Sequence, residues 1–213
     1  HGQTIRHNPE KSFTLQLCNP SIISEKTKLT VISDFRSKEI AAGGEGAPLV
    51  PLFHHEIIKD FAPCAVVNIG GIANITIISK CKTKGTKVTK GFDTGPGNCL
   101  SDSWCQDNFN KPYDYNGDLA RQGKLNEELL TTMLLDQYFT KKTPKSTGLH
   151  HFNRSWIKQK IQGVKNISHK KNIQSTLIEL TALTITNNIP KSCKKVYVCG
   201  GGAKNSYLLE RMI

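Results

Sequence analysis

Three segments of the 213-residue chain share one grammar: a β-branched strand, a glycine turn, then a polar or helix-opening residue. They are Val67-Asn-Ile-Gly-Gly-Ile-Ala-Asn74, Gly91-Phe-Asp-Thr-Gly-Pro-Gly-Asn98 and Val196-Tyr-Val-Cys-Gly-Gly-Gly-Ala-Lys-Asn205. Glycine lets backbone approach phosphate oxygens closely, and a helix that follows aims free N–H groups at the anion. One such turn has a purely steric explanation; three in one chain favour a nucleotide cleft. None matches the GxxxxGK[ST] or GxGxxG patterns, which argues against the P-loop and dinucleotide-binding folds.

Asp93 is the carboxylate that stands out. It closes a strand beside Thr94 and a rigid Gly-Pro-Gly turn, where an acid can accept a proton from a hydroxyl or a water. Capping the helix that opens near Asn98, or bracing the turn, explains the same residue equally well. Asp102 reads as a first-turn acid favoured by the helix dipole. Cys105 and Cys199 read as buried structural thiols rather than nucleophiles.

Composition narrows the classes further. The net charge is +12, but only five of the 29 basic residues are Arg. Base and phosphate readers favour the planar Arg fork on a clustered face, so nucleic-acid binding is not expected. The nearest cluster, Lys80 to Lys90, reads as a solvated hairpin tip. Seven cysteines without a CxxC pair argue against zinc and against a disulfide framework, pointing to reduced thiols in a cytoplasm and to no metal ligand set. The pairs His54-His55 and His150-His151 make no metal clamp alone. No apolar run is long enough to span a membrane.

The elements that must position these residues alternate between periods of two and 3.6. Strands are expected at Phe13–Leu17, Lys28–Ser33, Ala65–Ile69, Ile75–Ile78, Lys87–Phe92 and Lys195–Cys199. Helices are expected from Pro20 to about Lys26, over Leu49–Phe61 with His and Lys on the wet side, and over Cys99–Phe109. Further helices are expected over 117–139, Phe152–Ile161, Ile173–Ile189 and Asn205–Met212. The Gly-rich segment Ala41–Pro48 and the segment Pro144–Gly148 read as loops. The class is mixed α/β.

Taken in order, the motifs resemble the anhydro-N-acetylmuramic acid kinase family of the sugar kinase/Hsp70/actin superfamily. The segments that carry the resemblance include His1-Gly-Gln-Thr4, Thr14-Leu-Gln-Leu17, Asp34-Phe-Arg36, Ala42-Gly-Gly-Glu-Gly-Ala-Pro-Leu-Val-Pro51 and Asn68-Ile-Gly-Gly-Ile-Ala-Asn74. Phe92-Asp-Thr-Gly-Pro-Gly-Asn98, Tyr113-Asp114, Pro144-Lys-Ser-Thr-Gly148, Phe152-Asn153 and Cys199-Gly-Gly-Gly202 complete them.

The resemblance implies a two-lobed ATPase fold with ribonuclease H-like lobes. Residues 1–62 would be part of the N-terminal lobe, and residues 63–213 the C-terminal lobe. It implies ATP and Mg2+ as cofactors, and an amino sugar whose 1,6-anhydro ring is opened by water while O6 is phosphorylated, in peptidoglycan recycling. Asp93 would be the general base. Asn68, Gly70, Gly71 and Asn74 would form the second phosphate loop, and Gly200, Gly201, Gly202 and Asn205 the adenosine side. Arg36, Gly43, Gly44, Pro48, Thr94 and Gly97 are the candidates for the sugar and its lactyl carboxylate, with a surface or inter-lobe ion pair as the other explanation of Arg36. Family members are often homodimers.

Glu45 and Cys18 depart from the family, which more often has Gln and Gly there. The family's first phosphate loop is expected upstream of His1 and a closing acidic segment beyond Ile213, so the chain reads as cut at both ends. A truncated, inactive relative that only binds sugar or nucleotide is therefore the alternative.

Overall fold

The computed structural model describes residues 4–80, 87–164 and 169–213, in two compact units, 1–49 and 50–213. In the first unit β1 (Thr4–Asn8) pairs antiparallel with β2 (Phe13–Gln16). Helix α1 (Pro20–Thr27) starts where Asn19 Oδ1 accepts the Ile22 amide at 3.1 Å and Pro20 presets the first turn. It closes on Lys28 in the left-handed region, φ 57°. Residues 28–33 form no strand, contrary to their β-branched pattern: Leu29 and Ile32 stand exposed. Among the described residues no neighbouring strand completes their hydrogen bonds, and propensity without a partner does not make a strand. Helix α2 (Phe35–Ala41), which the sequence reading did not anticipate, packs against β2 and buries Ile40.

The second unit is built on a four-stranded sheet in the order β5-β4-β3-β6. Helix α3 (Pro51–Ile58) enters it, and a turn of 3-10 helix, Lys59–Phe61, ends the helical stretch expected over Leu49–Phe61. Then β3 (Cys64–Ile69), β4 (Ile72–Lys80) and β5 (Lys87–Pro96) run as an antiparallel meander. The β4–β5 hairpin matches the expectation, while its lysine-rich tip lies outside the described residues.

A helical layer follows. Helix α4 (Cys99–Phe109) has the expected bounds. The single long helix expected over 117–139 is instead three short ones, α5 (Asp118–Arg121), α6 (Glu127–Leu134) and α7 (Gln137–Thr140). The breaks have local causes. Asn126 caps α6 through the Leu129 amide, and Asp136 caps α7 through the Tyr138 amide. Helices α8 (Arg154–Gln162) and α9 (Lys170–Thr186) lead to β6 (Lys195–Cys199), parallel to β3, and to α10 (Ser206–Arg211). A three-stranded meander whose first strand gains a parallel neighbour through helices is the arrangement expected of a ribonuclease H-like lobe.

One sheet face packs Ala65, Val67, Ile69, Ala73, Ile75 and Phe92 against Ile178, Ala182 and Ile185 of α9. Burying each large aliphatic side chain contributes roughly 1.5–3 kcal/mol. The other face carries α3, where Pro51 closes on Gly91 so tightly that a Cβ there would lie 2.1 Å from the ring. His54, expected on the wet side of this helix, is buried and hydrogen-bonded through Nδ1 to Thr76 Oγ1 at 2.8 Å. A second core joins α4, α6, α8 and α9 through Leu100, Leu129, Met133, Phe152, Trp156 and Leu177. Among the described residues no helix is long and apolar enough to cross a membrane.

Candidate functional site

The sheet topology brings the three glycine turns to one end. Because β6 is parallel to β3, and β4 and β5 alternate, the carboxyl ends of β3, β5 and β6 and the amino end of β4 share one edge. In open α/β sheets that edge is where ligands bind. The contacts between turns are direct. The Gly97 amide donates to Gly71 O at 2.9 Å, and the Asn98 amide to Gly70 O at 2.8 Å. Asn98 Nδ2 donates to Ile69 O at 3.3 Å, and the α-carbon of Gly201 faces that same amide, with a Cβ placed at 3.6 Å.

At two of these glycines a side chain would collide with its neighbours. A Cβ at Gly97 would lie 2.3 Å from Gly70 O, and one at Gly200 would lie 2.6 Å from both Asn68 Oδ1 and Ile69 O. Gly200 also holds φ 83°, a conformation that favours glycine. Helix α9 braces the arrangement from below: Thr181 Oγ1 donates to Pro96 O at 3.2 Å and to Gly97 O at 3.0 Å.

Behind the turns runs a row of polar residues. Strand register sets Cys199 beside Asn68, Asn68 beside Asn74, and Asn74 beside Asp93, so one residue from each strand shares one level and one face of the sheet. Cys199 Sγ lies 3.7 Å from Asn68 Oδ1, and the residue is exposed, which corrects the expectation of a buried structural thiol. Asp93 sits where the ladder skips a residue: Ala73 faces Gly95, Asn74 faces Asp93, and Thr94 is the extra residue between them. Such bulges re-aim side chains at the rims of sheets. Thr94 is fully buried, and its hydroxyl donates to Ala73 O at 3.2 Å.

Asp93 is itself buried and held at three points. Its amide donates to Lys145 O at 3.0 Å, its carbonyl accepts from Tyr138 Oη at 2.7 Å, and its Oδ2 accepts from the Thr147 amide at 3.0 Å. The sequence flagged the Pro144–Gly148 loop as a motif but not as the partner of Asp93, and nothing in it singled out Tyr138. Asn98, at the centre of the turns, was legible only as the end of its motif.

Asn205 caps α10, accepting the Leu208 amide at 3.0 Å, and packs on Gly117. In the first unit Arg36 Nη1 donates to Gly46 O at 2.6 Å, which ties the Gly43–Pro48 loop to α2. Gly43 there has φ 84° and open space around it, whereas Gly44 lies against the Glu39 side chain.

Two acids lie near α4. Asp114 accepts the Leu119 and Ala120 amides in the first turn of α5 at 2.8 and 2.9 Å. Asp102 is no ordinary solvated acid: burial, then the charge of Asp114, pushes its carboxyl up to about 6. Burial also pushes the Cys99 thiol up to about 12 and the Cys105 thiol up to about 11, so both stay protonated and unreactive.

A family model described as anhydro-N-acetylmuramic acid kinase matches residues 1–213. Proteins of that name in Hahella chejuensis, Pseudomonas syringae pv. syringae and Paraburkholderia xenovorans are 48%, 43% and 43% identical to the chain. Each alignment covers 100% of the chain and 57%, 58% and 56% of the relative, so the chain spans less than two thirds of their length.

Proposed function

The chain belongs to the anhydro-N-acetylmuramic acid kinase family, and on that premise we propose that it carries the nucleotide edge and the general base of such a kinase. The substrate would be 1,6-anhydro-N-acetylmuramic acid, opened by water and phosphorylated at O6 at the expense of ATP, giving N-acetylmuramic acid 6-phosphate in cell-wall recycling. In this reading residues 63–213 form the C-terminal lobe and residues 1–62 part of the N-terminal one.

The observation that carries the proposal is the convergence of Gly70-Gly71, Gly97-Asn98 and Gly200-Gly202 at one sheet edge, with Asp93 on the same sheet. At Gly97 and Gly200 a Cβ would strike backbone, whereas at Gly70 and Gly71 its nearest neighbours lie at 3.5 and 3.8 Å, which leaves room there for phosphate oxygens at van der Waals distance from the chain. Asn68, and the backbone of Gly70 and Gly71, would line the phosphates; Gly200 to Gly202 would lie along the nucleoside. Mg2+ would arrive with the phosphates and neutralise their charge, keeping most of its waters as this ion usually does.

Asp93 would take the proton of the water that attacks the anomeric carbon. The grip of Thr147, Lys145 and Tyr138 fixes the carboxylate before the substrate arrives, which is where an oriented base gains its rate. Arg36 and the Gly43–Pro48 loop would receive the sugar and its lactyl carboxylate, and Thr94 and Gly97 stay candidates for the sugar on the family resemblance alone.

The test is ADP release from ATP and Mg2+ with and without the anhydro sugar. The reading expects sugar-dependent release, cut roughly 100- to 10,000-fold in Asp93→Asn with ATP binding unchanged. Equal rates in Asp93→Asn would overturn the role of Asp93. Nucleotide binding without any turnover would instead favour the binding-only alternative.

A further inference from the structure

We infer that Lys145 is a positioning residue for Asp93, its buried ammonium locking the Pro144–Gly148 loop so that the Thr147 amide meets the Asp93 carboxylate. The contacts form a closed ring. Lys145 Nζ donates to Tyr138 O at 3.1 Å and to Phe139 O at 3.3 Å, both carbonyls of α7. The ammonium also lies over the Tyr138 ring, 4.6 Å from its centroid. Tyr138 in turn donates its hydroxyl to Asp93 O at 2.7 Å. Lys145 closes the ring from the other side, since its own carbonyl accepts the Asp93 amide at 3.0 Å, and two residues on the Thr147 amide reaches Asp93 Oδ2 at 3.0 Å.

Helix α7, to which the ammonium is tied, is itself anchored. Asp136 accepts the Tyr138 amide at 2.9 Å, Trp156 Nε1 at 2.7 Å and pairs with His151 Nε2 at 3.0 Å. Burial alone would raise the Asp136 carboxyl, but Trp156, the Tyr138 amide and His151 outweigh it and hold it low. The loop is thus fastened at Lys145 and again at His151, with Thr147 between the two fixings.

A lysine is a costly way to fill this space. It is 6% exposed, its hydrogen bonds go to backbone carbonyls, and burial followed by the charge of Lys141 depresses its basicity. An apolar side chain of the same length would pack without that desolvation penalty. What it could not do is bind two carbonyls of α7 at once. That bond pair determines where the loop sits relative to the strand that carries Asp93.

The inference rests on the kinase reading only for what Asp93 does, and its test separates the two. In the wild-type chain, NMR should show scalar coupling across the hydrogen bond from the Thr147 amide to the Asp93 carboxyl carbon. In Lys145→Met, Thr147 exchange should rise roughly tenfold or more and the Asp93 carboxyl carbon signal should move. In the companion Tyr138→Phe, which leaves the ammonium in place, Thr147 should stay protected. Turnover in Lys145→Met should fall at least about tenfold in kcat with KM for ATP unchanged. Unmoved Thr147 and Asp93 signals in folded Lys145→Met would overturn the inference whatever the turnover. If Lys145→Met does not fold, missing coupling or fast Thr147 exchange in the wild type overturns it. Moved signals together with undiminished turnover in Asp93→Asn would leave Lys145 as the positioning residue and remove the kinase role of Asp93.

Discussion

The backbone amide of Asn98 donates to the carbonyl of Gly70 at 2.8 Å, which fastens the turn after β5 onto the turn after β3. Neither turn is free to move without the other. The relationship requires residue 97 to have no side chain, because that carbonyl occupies the place of its Cβ.

Gly97→Ala and Gly71→Ala should therefore part company. At Gly97 the added carbon meets backbone at 2.3 and 3.2 Å, and backbone cannot swing aside. At Gly71 the nearest atoms are side-chain carbons at 3.8 and 3.9 Å, ordinary contact. Urea unfolding should show Gly97→Ala destabilised by about 2–3 kcal/mol and Gly71→Ala within about 0.5 kcal/mol of wild type.

Asp102 should make the fold less stable as the solution leaves the acid range. Its folded-state carboxyl titrates at about 6, above the usual 3.8, so the native chain binds the extra proton between those values. Stability contributed below pH 4 is then lost as pH rises to 6 and stays lost above it. Solvent screening limits the loss to about 1–2 kcal/mol. Asp102→Asn should abolish that decline and be the more stable protein at pH 7. His54 works in the opposite sense: burial lowers its basicity, so its contribution is full above pH 6.5 and falls as the solution is acidified. The two are separated by comparing stability against pH for Asp102→Asn and His54→Gln with wild type.

Arg211 and Arg121 each form a paired ion bridge, but with partners of different burial. Arg211 meets Glu179, whose side chain is 10% exposed; Arg121 meets Glu210, which is 53% exposed. Removing Arg211 leaves a carboxylate stranded in the α9–α10 interface, and Arg211→Met should cost about 1–2 kcal/mol once its own exposure is allowed for. Arg121→Met should leave the melting temperature unchanged within error, since both of its charges stay hydrated.

The sequence was informative where local chemistry decides the structure. Pro96-Gly97 stops β5 and Asn98 precedes a regular turn, so α4 could be bounded from residues alone. The Lys195–Cys199 strand ends at three glycines for the same reason. It was uninformative where the partner decides. Thr30, Val31 and Ile32 have strand propensity but no neighbouring strand among the described residues. The apolar spacing over 117–139 ignored Asn126 and Asp136, which start new helices. The glycine turns were recognisable one by one, but their meeting depends on β6 lying parallel to β3, which no local pattern encodes. The grip of Tyr138 and Thr147 on Asp93 spans more than forty residues and left no trace in the spacing of either motif.

The row Cys199, Asn68, Asn74, Asp93 crosses the whole sheet, from β6 at one end of its order to β5 at the other. Three inter-strand spacings separate its ends, about 14 Å. The backbone ladder fixes that interval, so it does not vary with side-chain rotamers or loop motion. The sheet is in this sense a gauge: Cys199 and Asp93 are rooted too far apart for one small group to touch both. Occupying both ends at once requires an elongated ligand, or two ligands laid end to end.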